Sequence, residues 1–424
     1  MTVGTRQERA WSPWRTVVAF GLVSLTADMV YEGARSIYGP LLASLGASAV
    51  AVGLIAGAGE AAALLLRLVS GPLADRSRRY WTLTVAGYAL TAVCVPLLAI
   101  TPALGAAGLF VAAALILAER LGKAIRSPAK SALLADAAGR VGMGRGLGVH
   151  KALDQVGAFA GPLVVAAIVV AAAGRLWPAL AVLAVPGAIT MILLFVLRAR
   201  SGTGGAGEAE HRTTARDDNA GEAPNHAAAA PRESMAAMAA ALPRRFWWFA
   251  TATALCTAGL VTYGLIGFHL VEAQIVTAPL VPVLYAAAMG AGALAALATG
   301  VIYDRAGGRT LTILPFLVAA AAALSFRTGL LPVVAGILLW GAAVGVQDST
   351  VKAVVADLVP RERRATAYGM FAAVQGAAAL AGGAAAGLLY QRSLTGLVIA
   401  VAASQTAALL VLATRLRSRR STPR

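Results

Sequence analysis

The chain has little charge. Only 13% of its 424 residues are Asp, Glu, Lys or Arg, too few to cover the surface of an ordinary water-soluble domain. Cysteine is almost absent: Cys94 and Cys256 are the only two. Both lie inside apolar runs without CxxC spacing, which excludes a disulfide scaffold and reads them as small packing residues. No His, Cys, Asp or Glu cluster has the spacing of a metal site. No nucleophile stands beside a base, and no water-soluble domain is appended, so a membrane-embedded enzyme is not expected. No cofactor is implied. A cleaved leader is not expected either, because the first apolar run is too long, carries Asp28 and Glu32, and shows no convincing small-residue cleavage site.

What is present is apolar sequence: 59% of residues are hydrophobic and mean hydropathy is +0.75. Runs of about 20 residues, the length that crosses a hydrocarbon core of roughly 30 Å, recur along the chain. They fall near 15–40, 48–72, 80–101, 105–125, 146–172 and 176–198, then 246–270, 280–302, 310–326, 331–355, 367–390 and 394–414. That is two sets of six, and the expected fold is an all-α membrane protein of about twelve helices in two six-helix bundles. Residues 1–198 form the first bundle and 244–424 the second, which ends in a basic tail. Between them, 199–243 is rich in Gly, Ala and acidic residues with Pro224 and Pro231, and reads as a cytoplasmic linker.

Basic residues outnumber acidic ones by 36 to 19, and their positions explain why. Arg6, Arg9, Arg15, Arg76, Arg78, Arg79, Lys130, Arg140, Arg145, Arg361, Arg363, Arg364 and the Arg415–Arg424 cluster all fall on one side of the spans. Arg175, Arg327 and Arg392 lie on the other. The positive-inside rule then puts both termini in the cytoplasm. The net charge of +17 is a consequence of topology beside anionic lipid, not of nucleic-acid binding.

The two halves echo each other. Gly71-Pro-Leu-Ala-Asp75-Arg76-Ser-Arg-Arg79 closes the second run, and Gly300-Val-Ile-Tyr-Asp304-Arg305-Ala-Gly-Gly-Arg309 closes the eighth. Asp136 and Gly148 are matched at the same separation by Asp357 and Gly369. Self-similarity of this kind marks transporters built from repeats.

An ionisable group at membrane depth is a functional candidate by default. Such groups concentrate in the first half. Asp28, Glu32 and Arg35 share one face of span one, Glu60 and Arg67 one face of span two, and Glu119 with Arg120 sit in span four. Asp28, Glu32 and Glu60 lie near mid-span and are the proton-coupling candidates; the competing reading is a plain ion pair, Glu32 with Arg35 or Glu60 with Arg67. Lys123 and Arg126 are expected to reach headgroups or pair locally, and His150 and Lys151 to be interfacial anchors. Asp154 pairs with Lys151 or with the basic end of span four.

The Gly-x-x-x-Asp-Arg segments resemble the loop signature of the major facilitator superfamily, with Arg78 where glycine is usual in the first copy. Arg120-Leu-Gly-Lys123-Ala124 is similar to that superfamily's fourth-helix basic motif. Gly157-x-x-x-Gly161-Pro162 resembles the fifth-helix motif of its drug:proton antiporter branch. The resemblance implies a secondary transporter of the bacterial inner membrane, with small-molecule solute and protons as partners and no nucleic acid, acting as a monomer. It implies a role for Arg120 in proton transfer, and it favours proton-coupled efflux of a small organic or amphipathic solute. An uptake carrier for an anionic metabolite or metal chelate, with Arg35, Arg67 and Arg120 holding the anion, is the alternative. A metal-ion exporter using Asp28 with Cys256 or His269 is the third reading. Asp75 and Asp304 are expected to hold the cytoplasmic side closed.

Overall fold

The computed structural model describes residues 11–201, 242–360 and 363–415, and all their regular structure is helical. Eleven helical stretches are long and apolar enough to span a membrane. One of them, Tyr80–Gly139, has 60 residues, about 90 Å of helix at 1.5 Å per residue. It folds back on itself through a 3-10 segment, Leu98–Ala107, at Gly105 with φ 53°. It therefore supplies two crossings, which makes twelve.

The first half comprises α1 (Pro13–Arg35), α2 (Tyr38–Ser44), α3 (Ala49–Leu65), α4 (Arg67–Ser77), α5 (Tyr80–Leu97), α6 (Gly108–Gly139), α7 (Met143–Ala171), α8 (Trp177–Val182) and α9 (Ala184–Arg200). The second comprises α10 (Arg244–Gly259), α11 (Tyr263–Glu272), α12 (Leu280–Ala306), α13 (Ile313–Ser325), α14 (Leu330–Leu358), α15 (Arg364–Arg392) and α16 (Leu394–Arg415). The starts of α1 and α10 and the ends of α9 and α16 share one face, and the Trp11 N–H donates to the Arg200 carbonyl at 2.9 Å there. The turns at 45–48 and 273–279 lie toward the other face, called the far face below.

Spans one, two and seven are broken rather than continuous. The breaks fall at Ser36–Ile37, Leu66 and Leu260–Thr262. At the first, the Ser36 hydroxyl donates to the Gly33 carbonyl at 2.6 Å, which satisfies a backbone acceptor that water cannot reach. Arg35 thus sits at the end of α1, beside the break.

Helix packing uses glycine where backbones touch. A Cβ on Gly157 would lie 2.1 Å from the Leu25 carbonyl oxygen, and one on Gly161 2.4 Å from that of Met29. The Gly157–Gly161–Pro162 motif therefore presses α7 onto α1 within the first half, and α7 runs unbroken past Pro162. At the far face the two halves meet in the same manner. A Cβ on Gly53 would lie 2.2 Å from the Gly383 carbonyl, and one on Gly39 2.2 Å from that of Gly264. The far face is closed.

Several sequence expectations change. Gly71 to Asp75 and Gly300 to Asp304 belong to the last turns of α4 and α12, not to loops. The turn comes three residues after each aspartate, at Arg78 with φ 50° and Gly307 with φ 58°. The first copy therefore keeps the left-handed turn without glycine and bears the strain of an Arg in that region. Arg76, Arg79, Arg305 and Arg309 are exposed. Most of the expected linker, 202–241, lies outside the described residues, as do Arg361 and the chain's last residues.

Candidate functional site

The first-half charges converge where α1, α3 and α6 meet the second half. Arg35 places Nη2 2.8 Å from Glu60 Oε1, and Arg120 places Nη1 3.3 Å from that same oxygen. Each guanidinium also has a carboxylate of its own. Arg35 lies 3.9 Å from Glu32, and Arg120 lies 3.6 Å from Glu119. The expected Glu32–Arg35 pair is present, but Glu60 does not pair with Arg67. The α3 helix ends at Leu65, and Arg67 starts a new helix whose Nε is buried without a hydrogen-bond partner.

Tyr31, one position before Glu32, is the hub of this cluster. Its hydroxyl accepts from Arg120 and, at 3.5 Å, from Arg35. The Lys123 ammonium stands 3.6 Å from the centre of its ring, a cation–π contact that holds that lysine away from the lipid headgroups. Glu119 has no solvent exposure, and Thr91 donates to it at 3.3 Å. Arg126 in turn donates to Thr91 and, at 3.4 Å, to the Gly87 carbonyl, and lies over the Tyr88 ring. Arg126 is 5% exposed, so it too is an interior residue and not a snorkelling anchor.

A second group lies nearer the face that carries the chain ends. His150 is buried, not interfacial. Its Nε2 is 2.9 Å from Ser24 Oγ, which also accepts from Lys130 at 3.1 Å. Asp154 pairs with Lys151 and lies within hydrogen-bonding reach of the Asp28 carboxyl. Two carboxyls can bond to each other only if one carries a proton.

The second half answers with neutral groups. Tyr285 donates across the boundary to Glu32, and it packs edge-on against Tyr263 with ring centres 4.6 Å apart. Trp340 leans on both rings and donates to the Val261 carbonyl at 2.7 Å. Deeper in, Gln375 donates to Thr253 at 2.9 Å and accepts from Thr257, while Gln347 donates to Thr257. At the separation that relates Asp136 to Asp357, Gln375 corresponds to Asp154 and Gln347 to Arg126. One half therefore carries charges where the other carries amides. Cys256 is buried in the second half's core, and His269 is tied to Tyr390 at 2.9 Å. Among the described residues no group of three His, Cys, Asp or Glu is placed to hold a metal.

Between the halves lies a cavity of about 30 Å³ lined by Arg35, Tyr38, Glu60 and Arg120 from the first half and Thr262 and Tyr263 from the second. It has room for about two waters or a small polar group. Tyr31, Tyr38 and Tyr285 were not among the sequence candidates. A tyrosine hydroxyl on the charged face of span one, directly before Glu32, was the available signal for the first of them.

Comparison with known proteins agrees with this architecture. A family model described as Major Facilitator Superfamily matches residues 20–330 and 268–424. An uncharacterized protein of Mycobacterium tuberculosis strain H37Rv is 50% identical over 403 residues, 95% of this chain and 93% of that protein. An uncharacterized MFS-type transporter of Methanocaldococcus jannaschii is 27% identical over 147 residues, 35% of each chain. Among solved structures, the nucleoside transporter NupG matches with a TM-score of 0.68 at 12% identity, covering 95% of this chain and 100% of that one. A D-xylose–proton symporter matches with a TM-score of 0.65 at 12% identity, covering 93% and 97%. At such identities the structures share the fold and nothing finer. The family match and the twelve crossings of a multi-pass membrane protein agree: the chain belongs to the major facilitator superfamily and is a secondary transporter, not an enzyme.

Proposed function

We propose that this protein couples the proton gradient of the bacterial inner membrane to movement of a small organic solute by alternating access. It works as a monomer with both ends in the cytoplasm and the far face outside. One observation supports the reading above the others: the bond that ties the halves together at the cavity ends on a titratable group. Glu32 accepts from Tyr285 of the second half and faces Arg35 on its own helix. A proton on Glu32 cancels its attraction for Arg35 and weakens what it offers Tyr285. Ionised Glu32 thus favours the closed far face, and acidification favours opening it, which is the differential binding that alternating access needs. The Asp28–Asp154 pair, with Lys151 beside it, is the second candidate for carrying a proton. The Gly157–Gly161–Pro162 motif does not bear on direction, because its packing on α1 accounts for the two glycines without any efflux role.

The test is a cavity cysteine. With Thr262→Cys as reporter, an impermeant maleimide applied to the far face should label faster at pH 5.5 than at pH 8. A hydrogen bond to a charged group contributes about 1.5–3 kcal/mol, so removing the charge by Glu32→Gln should speed labelling at pH 8 roughly ten-fold or more. Glu32→Gln should label at the fast rate throughout, with the response lost. An unchanged pH response in that variant would return Glu32 to a purely structural ion pair.

Asp75 and Asp304 remain the candidates for holding the cytoplasmic side shut from the last turns of α4 and α12. Asp75→Asn should increase labelling of a cytoplasmic-side cavity cysteine at similar folded yield, and equal labelling would leave this segment an ordinary topogenic turn.

A further inference from the structure

We infer that the cavity at Arg35 and Arg120 binds the carboxylate of a small organic acid, and that Glu60 occupies the place of that carboxylate when no solute is bound. The inference rests on the proton-coupled reading above and names its solute class. Three observations carry it. Arg35 keeps Glu32 and Arg120 keeps Glu119, while both reach a single oxygen of Glu60. Glu60 is therefore the shared carboxylate, and removing it from between the two guanidiniums leaves neither without a partner. Second, the Tyr38 hydroxyl is buried, with the whole side chain 6% exposed, lines the cavity and has no hydrogen-bond partner. A buried hydroxyl without a partner is costly and calls for an acceptor, and the oxygen of an incoming acid would provide one. Third, the cavity is small and both guanidiniums that line it already converge on one oxygen of Glu60, so an incoming carboxylate competes with Glu60 for them.

The surroundings of Glu60 then set the coupling. Around Glu60 stand Glu32, Arg35 and Tyr31 on α1, Tyr38 on α2, Arg67 on α4, and Glu119, Arg120 and Lys123 on α6. Tyr263 and Tyr285 close the second-half side. Arg35, Arg67, Arg120 and Lys123 stand there against Glu32, Glu60 and Glu119. A bound carboxylate takes both arginines from Glu60, which is left at membrane depth without its ion-pair partners, and a proton on Glu60 removes that cost. One proton enters and one anion enters, and the cluster's charge is unchanged. Proton and acid therefore bind together and cross in the same direction, which is the carrier reading of the sequence and not the antiport one. Because Thr262 and Tyr263 belong to the second half, the occupied site also bridges the two bundles.

The acid group alone is what the site recognises, so simple probes suffice. Acetate, lactate and benzoate would be titrated into the full-length protein in lipid nanodiscs, against their carboxamides and inorganic phosphate, following tryptophan fluorescence and melting temperature. Carboxylates should bind, carboxamides should not, and binding should tighten on going from pH 7.5 to pH 5.5. Glu60→Gln should bind carboxylates at least as tightly and without pH dependence. Tyr38→Phe should weaken them about ten-fold, and Arg35→Gln should abolish binding while the melting temperature reports a folded protein; Arg35→Lys should recover part of it. Binding of carboxamides as tight as the acids, no carboxylate binding by Glu60→Gln, or phosphate bound more tightly than any carboxylate would overturn the assignment. Carboxylate binding that is equally tight at both pH values in the unmutated protein would keep the acid site and overturn the cotransport.

Discussion

Arg120→Leu should leave little folded protein. Arg120 is 5% exposed and is bound to Tyr31, Glu60 and Glu119. Glu119 is fully buried, and one of its oxygens has no hydrogen-bond partner at all. Removing the arginine leaves a carboxylate in the helix bundle with only Thr91 for support. Breaking a buried pair on one side in this way costs about 3–5 kcal/mol, a large part of what a domain of ordinary stability has to lose. Denaturation in detergent micelles or nanodiscs measures the loss directly. The double change Glu119→Gln with Arg120→Leu should regain most of it, since the orphaned charge is then gone. Arg120→Leu with unaltered stability would mean that Glu119 is held neutral by something other than this pair.

The second large effect concerns closure of the far face. Gly53 on α3 and Gly383 on α15 present backbone to backbone: a Cβ on Gly53 meets the Gly383 carbonyl at 2.2 Å, and one on Gly383 meets that of Gly53 at 2.5 Å. The obstruction is main chain on both sides, so no rotamer change relieves it. Leucine at Gly53 requires the two helices to separate. Each half should fold, because the contact is between halves and not within one. Gly53→Leu is therefore expected to trap the far face open. An impermeant maleimide should label Ala56→Cys, which lines the cavity, more than ten-fold faster than in the unaltered background, and transport should stop. Labelling that stays slow would show that the halves close on other contacts.

The fold was legible in the sequence for definite reasons. A span needs about 20 apolar residues whatever it packs against, so counting runs found the crossings. The repeated Gly-x-x-x-Asp-Arg segments tied the two halves together, and the structure places a positive-φ residue three positions after the aspartate in both. The site was legible only along single helices. Glu32 and Arg35 were correctly grouped because spacing within a helix fixes neighbours, whereas Asp28, one turn before Glu32, meets Asp154 instead. Glu60 and Arg67 were grouped by the same logic and are not paired, because the true partners of Glu60 lie 25 residues before it and 60 after. Periodicity carries no information at that distance. Depth was misjudged for Arg126 and His150 for a related reason. Their place near a span's end suggested the lipid interface, but α6 and α7 each continue beyond the apolar run, and Tyr88 and Ser24 receive them inside.

The decisive measurement is proton movement in proteoliposomes at equal pH on both sides. The vesicles hold the full-length protein and a luminal pH dye, with protein-free vesicles as the control for unaided permeation. Addition of a poorly permeant organic acid, such as lactate at near-neutral pH, should acidify the lumen in step with acid uptake. In Glu60→Gln vesicles the acid should equilibrate without the proton. Acid uptake with no luminal acidification in the unmutated protein would contradict proton coupling, as would acidification that survives intact in Glu60→Gln, Glu32→Gln and Asp28→Asn.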